Sequence, residues 1–446
     1  MTTRPRPAVQ PPHPWHFPDA ETHTLDNGLD VWIYHVPGQH VVASELVLDL
    51  PLSAEPRVHE GVATITLRAS DEGTLAHPDG GINECLEAAG ATFEGSASWS
   101  STMCLLEVPR TRLAHAFELF AEIVRTPAYD PTDVDRHREL RLAEWLQVKA
   151  NASSTASLVL RSVLHPSDAR ESRPAAGTEV GVPEITRELV SDFHERHWGP
   201  RGSTLILAGE FDDDPVELAR RWWGDWAPTT IDHAHLPQRF TPGNARLVHL
   251  VDRPGSVQAE LRIAGPGADR TSPDWAAFQV ATSAMGGMFN SRLNRVLREE
   301  RGYTYGANLV ATPGRGGGTW TMSASCRTDV MAEACREALA LLALPEPLTT
   351  SEVGAAVAYQ LGVAPLRYDT AAGIVGQAAA VACAGVGPDY VNTHFARVAT
   401  MDAERASAAL SSRVTAESSH IVIVGDAETL RPALQALDFE VVDAGL

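Results

Sequence analysis

The chain repeats itself once along its length. Two kinds of apolar segment occur in each half, one that leads into a Pro-Gly pair and one that ends in Gly followed by an acidic residue. The four segments are VWIYHVPG at 31–38, STLILAGE at 203–210, LVHLVDRPG at 247–255 and SHIVIVGD at 419–426. The Pro-Gly pairs are 217 residues apart and the glycines of the other pair 216 residues apart. Matching offsets at two separate places indicate two homologous domains in tandem.

Each repeat has strand patterns first and helix patterns afterwards. Residues 24–35 have the pattern of a β-hairpin, with Asn27-Gly28 as a dipeptide typical of a tight type I′ turn. Apolar side chains further on recur at helical spacing, at Leu113, Phe117, Phe120 and Val124. This order favours an α+β fold in which each domain is a mostly antiparallel sheet with helices packed on one face.

The predicted domains are 1–226 and 245–446, joined by a linker over 227–244. The linker is rich in proline and polar residues, as surface connections are. It carries His233 and His235, which we expect to be solvated histidines and not metal ligands.

Composition excludes several classes of function. The net charge of −21 argues against binding to nucleic acids or to anionic membranes. The chain has five cysteines and no CxxC pair, so we expect neither a disulfide framework nor a Cys-based zinc site. The first residues lack the apolar core of a secretory signal, and no apolar run is long enough to span a membrane. We therefore expect a cytoplasmic protein, and the strong preference for arginine over lysine predicts a bacterial source.

Four segments resemble a known family, the insulinase/pitrilysin zinc metallopeptidases, which include the mitochondrial processing peptidases. They are TLDNGLDVWIYH at 24–35, HEGVATITLRASDEGT at 59–74, DFHERHWGPRGSTLILAGEF at 192–211 and GGMFNSRLNRVLREERGYTYGA at 286–307. The resemblance covers nearly the whole chain. It implies two homologous α+β halves, in agreement with the repeat.

Active members of this family carry an HxxEH motif on a helix, in which two histidines bind zinc and the glutamate activates the zinc-bound water. The corresponding positions here begin at Thr64 and end with Leu67 and Arg68, so both histidines and the base are absent. Glu144 stands where the family has its third ligand, and His137 stands where a supporting glutamate is common. The degenerate motif predicts that this chain holds no metal.

The second half keeps a different signature of the family, an Arg and a Tyr seven residues apart, here Arg298 and Tyr305. The resemblance implies a catalytic role for both, because a tyrosine hydroxyl and a nearby cation can stabilise the oxyanion of peptide hydrolysis. Spacing alone favours the alternative, in which Arg298 is a solvated helix residue and Tyr305 a half-buried strand residue. Glycines near this segment predict a flexible substrate-binding loop, with ordinary hairpin turns as the alternative: Gly286, Gly287, Gly316 and Gly317.

Loss of the zinc motif with retention of the Arg/Tyr pair is the pattern of one subunit in bacterial heterodimers of this family. The resemblance therefore implies a non-zinc subunit, inactive alone, that contributes to peptide hydrolysis in a closed chamber formed with a homologous zinc-bearing partner. Zinc is expected in the partner and no cofactor in this chain. The alternative is a catalytically inactive structural or peptide-binding homologue, similar to the core subunits of the cytochrome bc1 complex. The sequence does not identify the substrate peptide.

Overall fold

We describe residues 15–229, 231 and 233–445 of the chain from a computed structural model. Most of the N-terminal segment and positions 230 and 232 of the predicted linker lie outside the described residues. Within them, strands and helices fall into two successive sets, separated by a segment from 224 to 246 that forms neither helix nor strand where it is described.

The first half contains one six-stranded sheet, with strand order β1-β2-β6-β3-β5-β4. Its pairs are antiparallel except for β2 with β6, which run parallel. The strands are β1 (Glu21–Thr24), β2 (Asp30–His35), β3 (Val41–Leu48), β4 (Thr92–Ala97), β5 (Thr102–Pro109) and β6 (Thr204–Gly209). The helices are α1 (Val62–Arg68), α2 (Gly81–Ala89), α3 (Leu113–Arg125), α4 (Pro131–Ala150), α5 (Ala152–Leu164), α6 (Arg187–His197) and α7 (Pro215–Trp223).

The second half repeats five of these strands and differs at one edge, with the order β12-β7-β11-β8-β10-β9. There β12 pairs parallel with β7, whereas β1 pairs antiparallel with β2. Its strands are β7 (Leu247–Asp252), β8 (Gln258–Pro266), β9 (Thr304–Gly314), β10 (Gly317–Arg327), β11 (His420–Gly425) and β12 (Glu440–Asp443). Its α-helices are α8 (Trp275–Thr282), α9 (Met331–Leu342), α10 (Thr350–Arg367), α11 (Ala371–Cys383), α12 (Tyr390–Ala399), α13 (Ala403–Arg413) and α14 (Ala427–Gln435). Two π-helical turns, Ser283–Gly287 and Asn294–Glu300, precede β9.

The two halves exchange one helix each. The inner face of each sheet packs on helices of its own half, whereas the outer face is covered by a helix from the other half. Helix α11 places Ile374 and Ala378 against Trp32 and Tyr34 of the first sheet. Helix α5 packs against strand β11 of the second sheet in the same way. The 217-residue offset carries α5 onto α11 to within two residues, so the exchange follows the repeat.

The predicted α+β fold with two homologous halves is confirmed. The exchanged helices add a second covered face to each sheet, which the prediction of helices on one face did not include. The hairpin around Asn27-Gly28 forms, but the type I′ turn was wrong. Five residues separate β1 from β2, and only Gly28 of the dipeptide has a positive φ, +89°. No helix in the described residues is long and apolar enough to cross a membrane.

Candidate functional site

Helix α1, which carries the positions of the zinc motif, is anchored by buried ionic groups. Glu55 accepts hydrogen bonds from the backbone N–H groups of Gly61 and Ala63 at 2.9 and 3.0 Å, which satisfies two free donors at the helix start. The other carboxylate oxygen of Glu55 accepts from the Arg170 guanidinium at 2.7 and 3.0 Å. Both side chains are at least nine-tenths buried. The helix is therefore fixed in place although the metal ligands it would present are absent.

An ion pair stands at the predicted zinc position. Arg68 Nη1 donates to Glu144 Oε1 at 2.7 Å, and both side chains are about two-fifths exposed. A second guanidinium, that of Arg141, lies 3.6 Å from the other oxygen of Glu144. The degenerate motif thus surrounds its one carboxylate with positive charge, and a divalent cation does not fit there.

The remaining motif positions offer no metal-binding atom of the required kind. Thr64 is half-buried on α1. Leu67 is 4% exposed and packs under the edge strand β4, where a Cβ atom added to Gly95 would lie 2.7 Å from it. The place of the catalytic base is therefore filled by an apolar contact between α1 and β4.

His137 on α4 belongs to a separate polar group beside the motif. It contacts Glu72 Oε1 at 2.7 Å, and Arg136 contacts Glu72 Oε2 at 2.8 Å. Burial of Glu72 favours its neutral form, but hydrogen bonds from Arg136 and His137 outweigh that effect and lower the pKa of Glu72. The group holds α4 against the segment that follows α1.

The other histidines do not form a metal site among the residues that the structure describes. The rings of His197 and His233 lie 5.1 Å apart, so the linker folds back onto α6. His235 contacts Asp49 at 2.6 Å. No described group of three or more His, Cys, Asp or Glu side chains is placed to hold a metal ion.

In the second half, Arg298 lies on the π-helical turn and is held by an aromatic ring. Its guanidinium carbon lies 3.8 Å from the centre of the Phe289 ring, and Nη2 donates to the Phe289 carbonyl at 3.0 Å. Nε donates to Glu299 Oε1 at 2.8 Å. The Arg298 side chain is only 16% exposed, while Phe289 is 74% exposed. π-helical turns are rare and often occur at functional sites.

Tyr305 begins the edge strand β9 and is 94% exposed. Its position relative to Arg298 is set by Asn294, whose Oδ1 accepts from Ala307 N at 2.8 Å and whose Nδ2 donates to the Met288 carbonyl at 3.1 Å. Arg298 lies on a π-helical turn that packs on β9, the strand to which Tyr305 belongs. The Tyr305 hydroxyl forms no hydrogen bond within the described residues.

The four glycines fall at two places with packing roles of their own. Gly286 is buried, and a Cβ there would lie 2.4 Å from Leu309 Cβ, so only glycine lets the first π-helical turn approach β9. Gly287, next to it, is exposed. Gly316 and Gly317 form the β9–β10 hairpin turn, where Gly316 has a φ of +76° and its carbonyl accepts from Gln238 N of the linker. Their role in substrate binding stays a prediction.

Sequence reasoning named the motif positions but missed the residues that organise them. It gave no partner for Arg298, although Phe289 lies within the quoted segment 286–307. The pairing of Arg68 with Glu144 joins positions 76 residues apart, and no local pattern indicates it. Asn294, which connects the turn to β9, carries no signal in the sequence beyond its place in the same segment.

Two protein-family models match most of the chain. Residues 31–176 match the model described as Insulinase (Peptidase family M16). Residues 184–358 match the model described as Peptidase M16 inactive domain.

Curated relatives share about a quarter of their residues with the chain. It is 26% identical over 285 residues to an "uncharacterized zinc protease" of Streptomyces coelicolor, over 62% of this chain and 61% of that protein. It is 24% identical over 277 residues to subunit 1 of the mitochondrial cytochrome b-c1 complex of Bos taurus, over 60% of this chain and 56% of that protein. The match therefore spans less than two thirds of the length of either relative.

Solved structures with the same fold include two bacterial proteins. The crystal structure of a "peptidase M16 inactive domain" from Pseudomonas fluorescens has a TM-score of 0.85 at 23% identity, covering 92% of this chain and 98% of that one. A "protease from Helicobacter pylori" has a TM-score of 0.81 at 14% identity, covering 92% of this chain and all of that one.

Proposed function

Because the chain belongs to the insulinase family of peptidases, peptidase family M16, we propose that it is the non-zinc subunit of a heterodimeric peptidase. Its partner is a homologous chain with an intact HxxEH motif, and the pair encloses a peptide in a chamber. The observation that carries the proposal is the contrast between the two halves. The predicted zinc position is closed by the pairing of Arg68 with Glu144, whereas the position of Tyr305 is open, with 94% of the residue exposed and no described partner for its hydroxyl.

The first support is the chemistry of the motif positions. Peptide hydrolysis in this family needs neutral imidazoles and a carboxylate base at one point on a helix. Here a guanidinium, a leucine and a threonine occupy those positions. Hydrolysis by this chain alone therefore has no catalytic centre, and we assign that centre to the partner.

The second support is the state of Tyr305 and Arg298. Tyr305 is 94% exposed, so its hydroxyl contributes nothing to the stability of the fold. Arg298 is oriented by Phe289 and by the Phe289 carbonyl before any substrate binds, so little entropy is lost on binding. We assign to Tyr305 the donation of a hydrogen bond to the oxyanion and to Arg298 the contact with a substrate carbonyl.

A second candidate is a structural or peptide-binding subunit without a part in catalysis. The likeness to subunit 1 of a cytochrome b-c1 complex favours it. Under this alternative Arg298 and Tyr305 contact a protein surface and no reacting peptide. The cytoplasmic location and the bacterial source remain predictions under both proposals.

The deciding experiment combines the chain with a homologous HxxEH-bearing chain from the same organism. We expect a 1:1 complex, zinc only in the partner, and peptide cleavage by the complex but not by this chain. Chelator-sensitive cleavage by the purified single chain would contradict the proposal. If the complex forms but the partner is fully active by itself, and adding this chain leaves that activity unchanged, the result would favour the structural alternative.

A further inference from the structure

A cavity of about 590 Å³ lies between the two halves, away from both motif positions. Its walls come from strands β3 and β5 of the first sheet, the exchanged helices α5 and α11, and the β9–β10 hairpin. Thr64, Leu67, Arg68 and Glu144 are not among its described lining residues, and neither are Arg298 and Tyr305. The volume is in the range of cavities that bind small molecules.

One wall of this cavity carries a buried carboxylate without a partner. Glu45 points to the outer face of β3, the face that Ala43 and Val47 share with α11. It is 8% exposed, and within the described residues it makes no hydrogen bond and no ion pair. Burial raises the pKa of Glu45 to about 7. A buried carboxylate that is left unpaired costs stability, and such groups are ordinarily satisfied by a partner.

The cavity also carries guanidinium groups without carboxylate partners. Arg161 on α5 lies 4.3 Å over the Trp99 ring and donates to the Glu171 carbonyl at 3.2 Å. Its burial lowers the pKa of Arg161. Arg270, which follows β8, also lines the cavity; its guanidinium lies beside the Tyr390 hydroxyl and forms no ion pair with a described residue. Two cations are thus available to an anionic group in the cavity.

The opposite charges are separated and not paired with each other. No ion pair joins Glu45 to Arg161 or Arg270 among the described residues, and burial is the cause that raises the pKa of Glu45. Glu45, Arg270 and Cys383 all line the cavity, as do apolar side chains such as Met103 and Leu160.

We propose that this cavity binds a short peptide with free termini, its ammonium group on Glu45 and its carboxylate on Arg270 and Arg161. A ligand of this class supplies the missing cation to Glu45 and the missing anion to the arginines. Its side chains contact the Trp99 ring and the apolar wall. Because both halves line the cavity, the bound peptide also connects them. The proposal rests on the cavity alone and stands whether or not the chain is a peptidase subunit.

The test is isothermal titration calorimetry of the full chain with trialanine, N-acetyl-trialanine and trialanine amide. We expect saturable 1:1 binding of trialanine and at least about tenfold weaker binding of either blocked peptide, because each has lost one charged partner. Glu45→Gln should weaken trialanine at least about tenfold and remove the difference between trialanine and its N-acetyl form. Arg270→Gln should reduce the difference between trialanine and its amide without abolishing it, because Arg161 still contacts the carboxylate.

Glu139→Gln is the matched control, since Glu139 is an exposed glutamate on α4 outside the cavity. It should bind all three peptides as the unmodified chain does. Circular dichroism confirms that each variant is folded. If no saturable binding is observed up to about 10 mM trialanine, the affinity is weaker than the millimolar range, and the proposal is overturned. Equal affinity for free and blocked peptides, or an unchanged affinity in Glu45→Gln, would overturn it as well.

Discussion

Arg68 in the first half and Arg298 in the second half differ in what neutralises them. Arg68 contacts Glu144, which comes from another helix of the same half, and the pair closes the predicted metal position. Arg298 lies on an aromatic ring and a carbonyl, and its carboxylate contact is the adjacent, 62% exposed Glu299. Charges that pair with each other within the fold stabilise the fold and are not available to a ligand. Polar groups without a partner can still bind one. The predictions below test this difference.

The largest effect is expected at the open position. In the reconstituted heterodimer, Tyr305→Phe removes only the hydroxyl, so packing and assembly should be retained. If the hydroxyl donates to the oxyanion, turnover should fall about 10²–10³-fold, roughly 3–4 kcal/mol of transition-state stabilisation. KM should change much less. Steady-state kinetics measures both quantities.

Tyr303→Phe is the control for this change, because Tyr303 lies two residues earlier, is half-buried and packs on the core of the second half. It should leave turnover within about twofold, since a distant hydroxyl does not contact the transition state.

Arg298→Ala should raise KM and lower turnover together, as a cation that contacts substrate acts in both states. Unaltered turnover of Tyr305→Phe in an intact, zinc-loaded complex would remove the catalytic role and favour the structural alternative.

A smaller effect is expected at Glu45, the glutamate that has no partner. Its folded-state pKa is about 7, above the ordinary value of 4.5, so the folded chain binds a proton more tightly than the unfolded chain. Stability therefore falls as pH rises through this interval. Glu45→Gln should leave the free energy of unfolding nearly unchanged at pH 4 and raise it by about 2–3 kcal/mol at pH 8.

The thiols of Cys104 and Cys383, which lie near Glu45, do not titrate in this interval. Burial raises the pKa of Cys104 far above neutral pH and that of Cys383 to about 11. His165, which lines the same cavity and has a pKa lowered by burial, is common to the unmodified chain and the variant and so drops out of the comparison. Denaturant unfolding from pH 4 to 8, with Glu139→Gln as the control, measures the difference. A stabilisation that does not vary with pH would show that Glu45 is not a strained carboxylate.

The sequence was sufficient for the elements that depend on local pattern and on the repeat. The 217-residue offset predicted two halves, and the spacing of Phe117 and Phe120 predicted α3. The exchange of α5 and α11 was not predictable, because the periodicity of a helix shows that it has an apolar face but not which sheet covers that face. The type I′ turn at Asn27-Gly28 was wrong because its dipeptide preference holds for two-residue loops, and this loop has five residues.

The candidate site was predictable only where it lies in one segment. Arg298, Tyr305 and Phe289 lie within 17 consecutive residues, so a motif can bring them together. The cavity around Glu45 is lined by residues from Glu45 to Ala384. Its charges are individually ordinary in sequence, and only the tertiary structure shows that they are buried and unpaired.

The smallest effect is expected at the closed position. Arg68 and Glu144 are about two-fifths exposed, so water screens their attraction and the ordering of two long side chains opposes it. A double-mutant cycle of Arg68→Met and Glu144→Gln should give a coupling free energy of about 0–1 kcal/mol, decreasing with added salt. Glu144→Gln should thus slightly destabilise the chain, opposite in sign to Glu45→Gln at pH 8, because one carboxylate has a partner and the other has none. Neither Arg68→Met nor Glu144→Gln should alter the turnover of the heterodimer or its zinc content. A coupling above about 2 kcal/mol would mean that the pair is desolvated, and a loss of turnover in Glu144→Gln would mean that the first half still takes part in the reaction. Either outcome would break the distinction between a closed and an open half.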